Sequence, residues 1–241
     1  MEIQPTLASV KVLAFDVFGT VVDWRSSVIA AGEQLDNAKT LGVDWPKFAD
    51  GWRAAYHPSL DRVRAGELPW TKLDDLHRIS LEEILTRFEI NGLSEDEKDH
   101  LNRVWHRLKP WPDSVPGLER LKKSFVITTL SNGNVSLLTH MAKHAGLPWD
   151  CILSAELVQH YKPDPEIYRL VPDLFDLSPE RVMLVAAHEH DLQAARKQGL
   201  RTAYVHRPLE HGPEKASLIP AADQYDLMAK DFLDLADQLA R

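Results

Sequence analysis

Apolar and polar positions follow two different rhythms along this chain. Near its start, Val10-Lys-Val-Leu-Ala-Phe-Asp-Val-Phe-Gly-Thr20 holds a short apolar run that stops abruptly at Asp16 and Gly19. Such a run reads as a buried strand delivering a carboxylate into a loop. Helical spacing then takes over in residues 26–41, 45–64, 73–88 and 95–108, punctuated by Pro46, Gly66, Pro69 and Gly92. From Pro110 onward strand-like runs at 125–130, 151–153, 182–185 and 202–205 alternate with helical segments at 135–145, 166–174 and 191–198. A last amphipathic helix is predicted over 227–239, with apolar residues at 227, 228, 232, 235, 236 and 239.

Strands alternating with helices across short loops predict an α/β fold, a doubly wound and mainly parallel sheet covered on both faces. The first strand belongs to that sheet although its neighbours lie far along the chain. Residues 1–21 and 110–241 are therefore expected to form an α/β core, and 22–109 an inserted helical cap. Six of the seven tryptophans, Trp24, Trp45, Trp52, Trp70, Trp105 and Trp111, fall between the first strand and the second. They line a cleft between cap and core, or fill the helical interior.

Composition narrows the partners. A formal charge of -8 gives no basic footprint for nucleic acid or an anionic membrane, which favours a small-molecule partner. No run approaches the 18 or so apolar residues of a bilayer span, and Met1-Glu-Ile-Gln-Pro-Thr lacks a basic and apolar leader, so a cytoplasmic location is expected. The single cysteine, Cys151, excludes an internal disulfide and reads as a small core residue.

In such a sheet the residues following each strand share one edge. They are Asp16 to Thr20, Ser131-Asn132-Gly133-Asn134, Tyr161-Lys162-Pro163-Asp164 and Ala186-Ala-His-Glu-His-Asp191. Each has an ordinary structural explanation. Asp16 and Asp191 suit turns and helix caps, Ser-Asn-Gly suits a loop, an arginine such as Arg53 suits a solvated helix face, and Tyr168 suits a packed one. His188 and His190, two apart in a loop, make a weak zinc pattern.

Taken in order, Asp16 with Thr20, Ser131, Lys162-Pro163 and Asp191 resemble the four motifs of the haloacid dehalogenase superfamily, across essentially the whole core. Phosphatases of that superfamily carry a second Asp two residues after the nucleophile and an acidic pair in the fourth motif; here Phe18 and Ala187 stand in those places. The chain is similar to the metal-independent L-2-haloacid dehalogenase branch, whose pattern matches Phe18, Arg53 in Gly-Trp-Arg-Ala-Ala-Tyr, Ser131-Asn132 and Tyr168. The fourth motif departs from it, with Ala186-Ala187-His188 where Ser-Ser-Asn is common.

The resemblance implies hydrolysis of short L-2-haloacids to D-2-hydroxy acids, with no metal or other cofactor. Asp16 would be the nucleophile, Lys162 and Thr20 its holders, and Arg53 with Asn132 the halide site. Ser131 would contact the substrate carboxylate, and Phe18 and Trp52 the rest of the substrate. Tyr168 and Asp191 would support Lys162 or the water, and His188 could act as base for ester hydrolysis. A homodimer is part of the same expectation. The competing readings are a Mg²⁺-dependent phosphatase, a hydrolase of another activated carbon electrophile, and a non-catalytic binding protein.

Overall fold

The structure, a computed structural model, describes residues 7–216, 219–220 and 224–240. The Met1 to Thr6 opening lies outside the described residues. In chain order, β1 (Val12–Phe15) and a short β2 (Val22–Asp23) lead into five helices: α1 (Trp24–Lys39), α2 (Trp45–Ala54), α3 (Tyr56–Arg64), α4 (Leu73–Arg87) and α5 (Glu95–Asn102). A tight 3-10 turn, Arg103–Arg107, precedes β3 (Lys109–Pro110) and α6 (Ser114–Leu121). Then follow β4 (Val126–Ser131), α7 (Val135–Ala145), β5 (Cys151–Ser154), α8 (Pro165–Leu174), β6 (Val182–Ala186), α9 (Glu189–Lys197), β7 (Arg201–Val205), β8 (Leu227–Ala229) and α10 (Phe232–Leu239).

Six strands pair in parallel in the order β5-β4-β1-β6-β7-β8. β1 is central, with Phe15 opposite both Thr129 and Val185, which is why all four of its residues are buried. The chain runs outward one way through β4 and β5 and the other way through β6, β7 and β8. β1 thus sits where the winding reverses, and an open α/β sheet forms its ligand crevice beyond the strand ends at that point.

The helices α1 to α5 leave and return at one place. β2 and β3 pair antiparallel, Val22 with Pro110 and Asp23 with Lys109, while Ser114 Oγ donates to Val21 O at 2.7 Å. Asp23 caps α1 by accepting from Ser26 N at 3.0 Å. Gly32 lets α1 meet α2 closely, since a Cβ there would lie 2.0 Å from the Trp45 ring.

Several predicted elements differ in the structure. The helix expected over 45–64 breaks at Ala55, because Pro58 has no N–H to give the Ala54 carbonyl. The helix expected to reach 108 ends at Asn102, and the tight turn after it buries Val104, Trp105 and His106 in succession. The helix expected over 227–239 is split. Leu227–Ala229 instead pairs with β7, and Asp231 starts α10 by accepting from Asp234 N at 2.8 Å. Cys151, expected in the core, is only partly buried on the edge strand β5, where its Sγ lies 3.2 Å from Thr128 Oγ1. Among the described residues no helix is long and apolar enough to cross a membrane.

Candidate active site

Asp16 continues the β1 ladder by one residue, its N–H donating to Val185 O at 3.0 Å, and its side chain is nearly buried. The two carboxylate oxygens have different partners. Oδ2 accepts from Thr20 Oγ1 at 2.8 Å and meets His188 Nδ1 at 3.0 Å, whereas Oδ1 faces Lys162 Nζ at 3.3 Å. The Thr20 hydroxyl has a fixed sense, because it accepts from Ala187 N at 2.9 Å and so turns its proton to Asp16. Burial opposes the Asp16 charge, but Lys162, His188 and Thr20 outweigh it and hold the carboxyl far below the usual carboxylate range.

Lys162 is placed from both ends. Its backbone N donates to Asn132 Oδ1 at 2.8 Å, and its ammonium meets Asp191 Oδ2 at 2.5 Å. Burial disfavours that charge too, yet Asp191 and Asp16 keep Lys162 above its ordinary range. Tyr168, buried behind the site, donates to Asp191 Oδ1 at 2.7 Å; burial and Asp191 push its phenol well above the usual value, so it stays a donor. Asp191 lies inside the first turn of α9 and His188 holds the cap position without a side-chain capping bond, so the N-cap role considered for Asp191 is not formed.

The helical segment supplies the opposite wall. Arg53 stacks its guanidinium 4.2 Å from the Tyr56 ring centroid and 5.4 Å from that of Trp24. Its Nη1 is buried without a hydrogen-bond partner while the residue lines the cleft. An unpaired buried donor costs roughly 1–3 kcal/mol, and an anionic ligand would relieve that cost. Tyr56 Oη accepts from Asn132 Nδ2 at 3.0 Å, joining the two walls. Phe18 completes the cleft, which encloses about 680 Å³.

Trp52 takes no part in this. It is buried in the helical interior, where Nε1 donates to His77 O at 3.2 Å and Ser80 Oγ at 3.1 Å, so the expected substrate contact is corrected. Trp24, on α1, is the tryptophan that lines the cleft. Ser131 lies fully buried beneath its turn, accepting from Gly133 N at 3.2 Å, with Asn132 beside it reaching the cleft.

His188 departs from expectation in its chemistry. Nδ1 meets Asp16, and Nε2 meets Glu210 Oε2 at 3.0 Å and Oε1 at 3.1 Å. Burial opposes the imidazolium, but Glu210 and Asp16 raise its pKa to about 10, so in the resting site it is a cation and not the free base expected. Glu210 is lowered to about 2, since His188 outweighs the effect of its own burial. Glu210 and Tyr56 are missing from the sequence-derived set. Glu210 was findable, because it follows β7 as Asp191 follows β6, and the strand-end rule applies equally there.

Known proteins are similar to this chain in sequence and fold. Residues 10–199 match the family of haloacid dehalogenase-like hydrolases. (S)-2-haloacid dehalogenase 4A of Burkholderia cepacia is 27% identical over 95% of this chain and 99% of its own length. An (S)-2-haloacid dehalogenase of Pseudomonas putida is 30% identical over 81% of this chain and 85% of its own. Among solved structures, a defluorinating L-2-haloacid dehalogenase is 46% identical, with a TM-score of 0.93 over 96% of both chains.

Proposed function

Because this chain belongs to the haloacid dehalogenase-like hydrolases, we propose that it hydrolyses short L-2-haloacids to D-2-hydroxy acids through an ester on Asp16. The observation that carries this reading is the pairing of a buried, ionised Asp16 with the unpartnered Arg53 donor in one cleft of aromatic walls.

Oδ1 of Asp16 is the attacking oxygen, since Oδ2 already accepts two hydrogen bonds. It displaces halide from C2 in line, inverting the carbon and forming the ester. Arg53 receives the halide charge. Asn132, committed to Tyr56 and Lys162, serves chiefly to set that wall in place. The turn after β4 presents Asn132 to the substrate carboxylate, while Ser131, expected to contact it, is buried beneath the turn and outside the cleft lining; Phe18 shields the reacting carbon. Water then attacks Cγ, and the product leaves carrying Oδ1. Residues 22–109 act as the cap, hinged at the β2–β3 pair. A homodimer in the cytoplasm belongs to the same proposal, tested by light scattering of the purified chain and by cell fractionation.

The deciding experiment measures halide release and product chirality from L- and D-2-chloropropionate and from the 2-fluoro acid, with EDTA or Mg²⁺, beside phosphate release from an aryl phosphate. D-lactate from the L substrate alone, lost in Asp16→Asn, supports the reading. Magnesium-dependent phosphate release without halide overturns it.

A further inference from the structure

Glu210 is the most strongly constrained group in the cleft that the proposed displacement does not use. Its carboxylate accepts from Trp24 Nε1 at 3.1 Å and holds His188 Nε2 with both oxygens. Space has been left for it. Gly19 has φ +83, and a Cβ there would lie 2.1 Å from Glu210 Oε1, so the loop after Asp16 admits only glycine. Its own loop is pinned by Arg207, which donates to Thr20 O at 2.8 Å and grips Asp113 with two nitrogens at 2.7 and 2.8 Å.

A carboxylate faces each ring nitrogen of His188. Ionised carboxylates only accept hydrogen bonds, so both nitrogens carry protons and the ring is an imidazolium. Nδ1–H therefore points at Asp16 Oδ2, together with the Thr20 hydroxyl. If Oδ1 is alkylated, Oδ2 becomes the ester carbonyl oxygen, and it is the atom that gathers negative charge when water adds to Cγ. Resting on the function proposed above, we infer that His188 and Thr20 form the oxyanion site for hydrolysis of the Asp16 ester, and that Glu210 is the positioning residue that keeps His188 protonated there.

The water oxygen bonds to Cγ, the carbonyl pair moves onto Oδ2, and one water proton passes to Asp191. As the carbonyl re-forms, the Cγ–Oδ1 bond breaks. Oδ1 leaves as the hydroxyl of the product with a proton from Lys162, which is restored by Asp191, its partner at 2.5 Å. Asp16 keeps the water oxygen and loses its remaining proton to solvent. Glu210 matters most in the intermediate, because alkylation removes the Asp16 charge and leaves His188 with one anion. The other groups around the pair are the His190 ring, 5.7 Å from that of His188 and held below its ordinary range by burial and by the His188 charge, and His211 Nε2, 3.9 Å from Glu210, which together with Arg53 favours the Glu210 anion.

Rapid-quench turnover of L-2-chloropropionate by wild type, Glu210→Gln and His188→Gln tests this, with chloride, lactate and intact protein mass followed together. Glu210→Gln is expected to release a burst of chloride stoichiometric with sites, accumulate the ester adduct, and turn over slower by about 10²-fold, the scale of one lost oxyanion donor. Its slow phase should weaken further between roughly pH 6 and pH 9, as an unsupported imidazolium loses its proton, while wild type stays level. His188→Gln should show the burst and adduct without that pH dependence. The burst itself counts folded sites, and His188→Gln carries the test should Glu210→Gln not fold. Chloride and lactate released in step without adduct, in whichever variant folds, overturn the inference. Absence of chloride release from wild type overturns the dehalogenation reading instead.

Discussion

Asp16 is held ionised by three neighbours that the chain brings from sequence distances of 4, 146 and 172 residues. Asp16→Asn should lower turnover by at least about 10³-fold, read as halide release, because an amide cannot displace halide. Arg53→Lys keeps a charge but loses the planar group stacked on Tyr56, and single-turnover halide release should fall on the order of 10²-fold. The charge pair has a stability signature as well. His188 rises from 6.5 to about 10 on folding, so its contribution is complete below pH 6.5 and is lost as pH climbs toward 10. Glu210 falls from 4.5 to about 2, so its share is present above pH 4.5 and is lost on acidification. Denaturant midpoints measured across pH should therefore decline on the alkaline side, and His188→Gln should flatten that decline.

At the scale of elements, local signals and tertiary contacts divide the work. The central strand and the helices after it follow their own patterns closely; α7 spans Val135–Ala145, the segment its periodicity predicts. Pro58 breaks the helix expected over 45–64 locally, and other departures occur where a distant partner overrides local preference. The Leu-Met-Ala segment of β8 has helical spacing, yet the open edge of β7 offers it a ladder. Asp231 makes the new helix start workable, and Asp231→Ala should cost about 1 kcal/mol, or roughly 2–4 °C in Tm by calorimetry. The junction between the helical segment and α7 depends on Asp74, which meets His106 Nε2 at 2.8 Å and accepts from Asn134 Nδ2 at 2.9 Å. Burial would raise the Asp74 carboxyl, but those two partners lower it. Asp74→Ala should destabilise by roughly 1–3 kcal/mol in urea titration, since it leaves the buried His106 Nε2 without its partner and removes one of the two acceptors of Asn134 Nδ2.

For the whole molecule, the cleft exists only because the helical insertion folds back over the switch point of the sheet. Arg53, Tyr56 and Trp24 come from one side, and Asp16, Lys162 and His188 from the other. A ligand filling it ties both sides together and stabilises the native state by mass action. Asp16→Asn saturated with L-2-chloropropionate at about a hundred times its Kd should gain about 2.7 kcal/mol, seen as a higher Tm, and Arg53→Ala in that background should lose most of the gain.

The sequence by itself determined the strand and helix alternation, the helical insertion after β1, and the residues at the strand ends. Periodicity and turn chemistry are local, and parallel topology forces those ends onto one edge. That is why Asp16, Lys162 and Asp191 could be read together from positions far apart. Tertiary structure alone decided that Trp24 and not Trp52 faces the cleft, because rotation of a helix about its axis is set by what it packs against. It also decided the charge of His188. An imidazole near neutrality takes its protonation from its neighbours, and Glu210 reaches it only through a loop folded over Gly19.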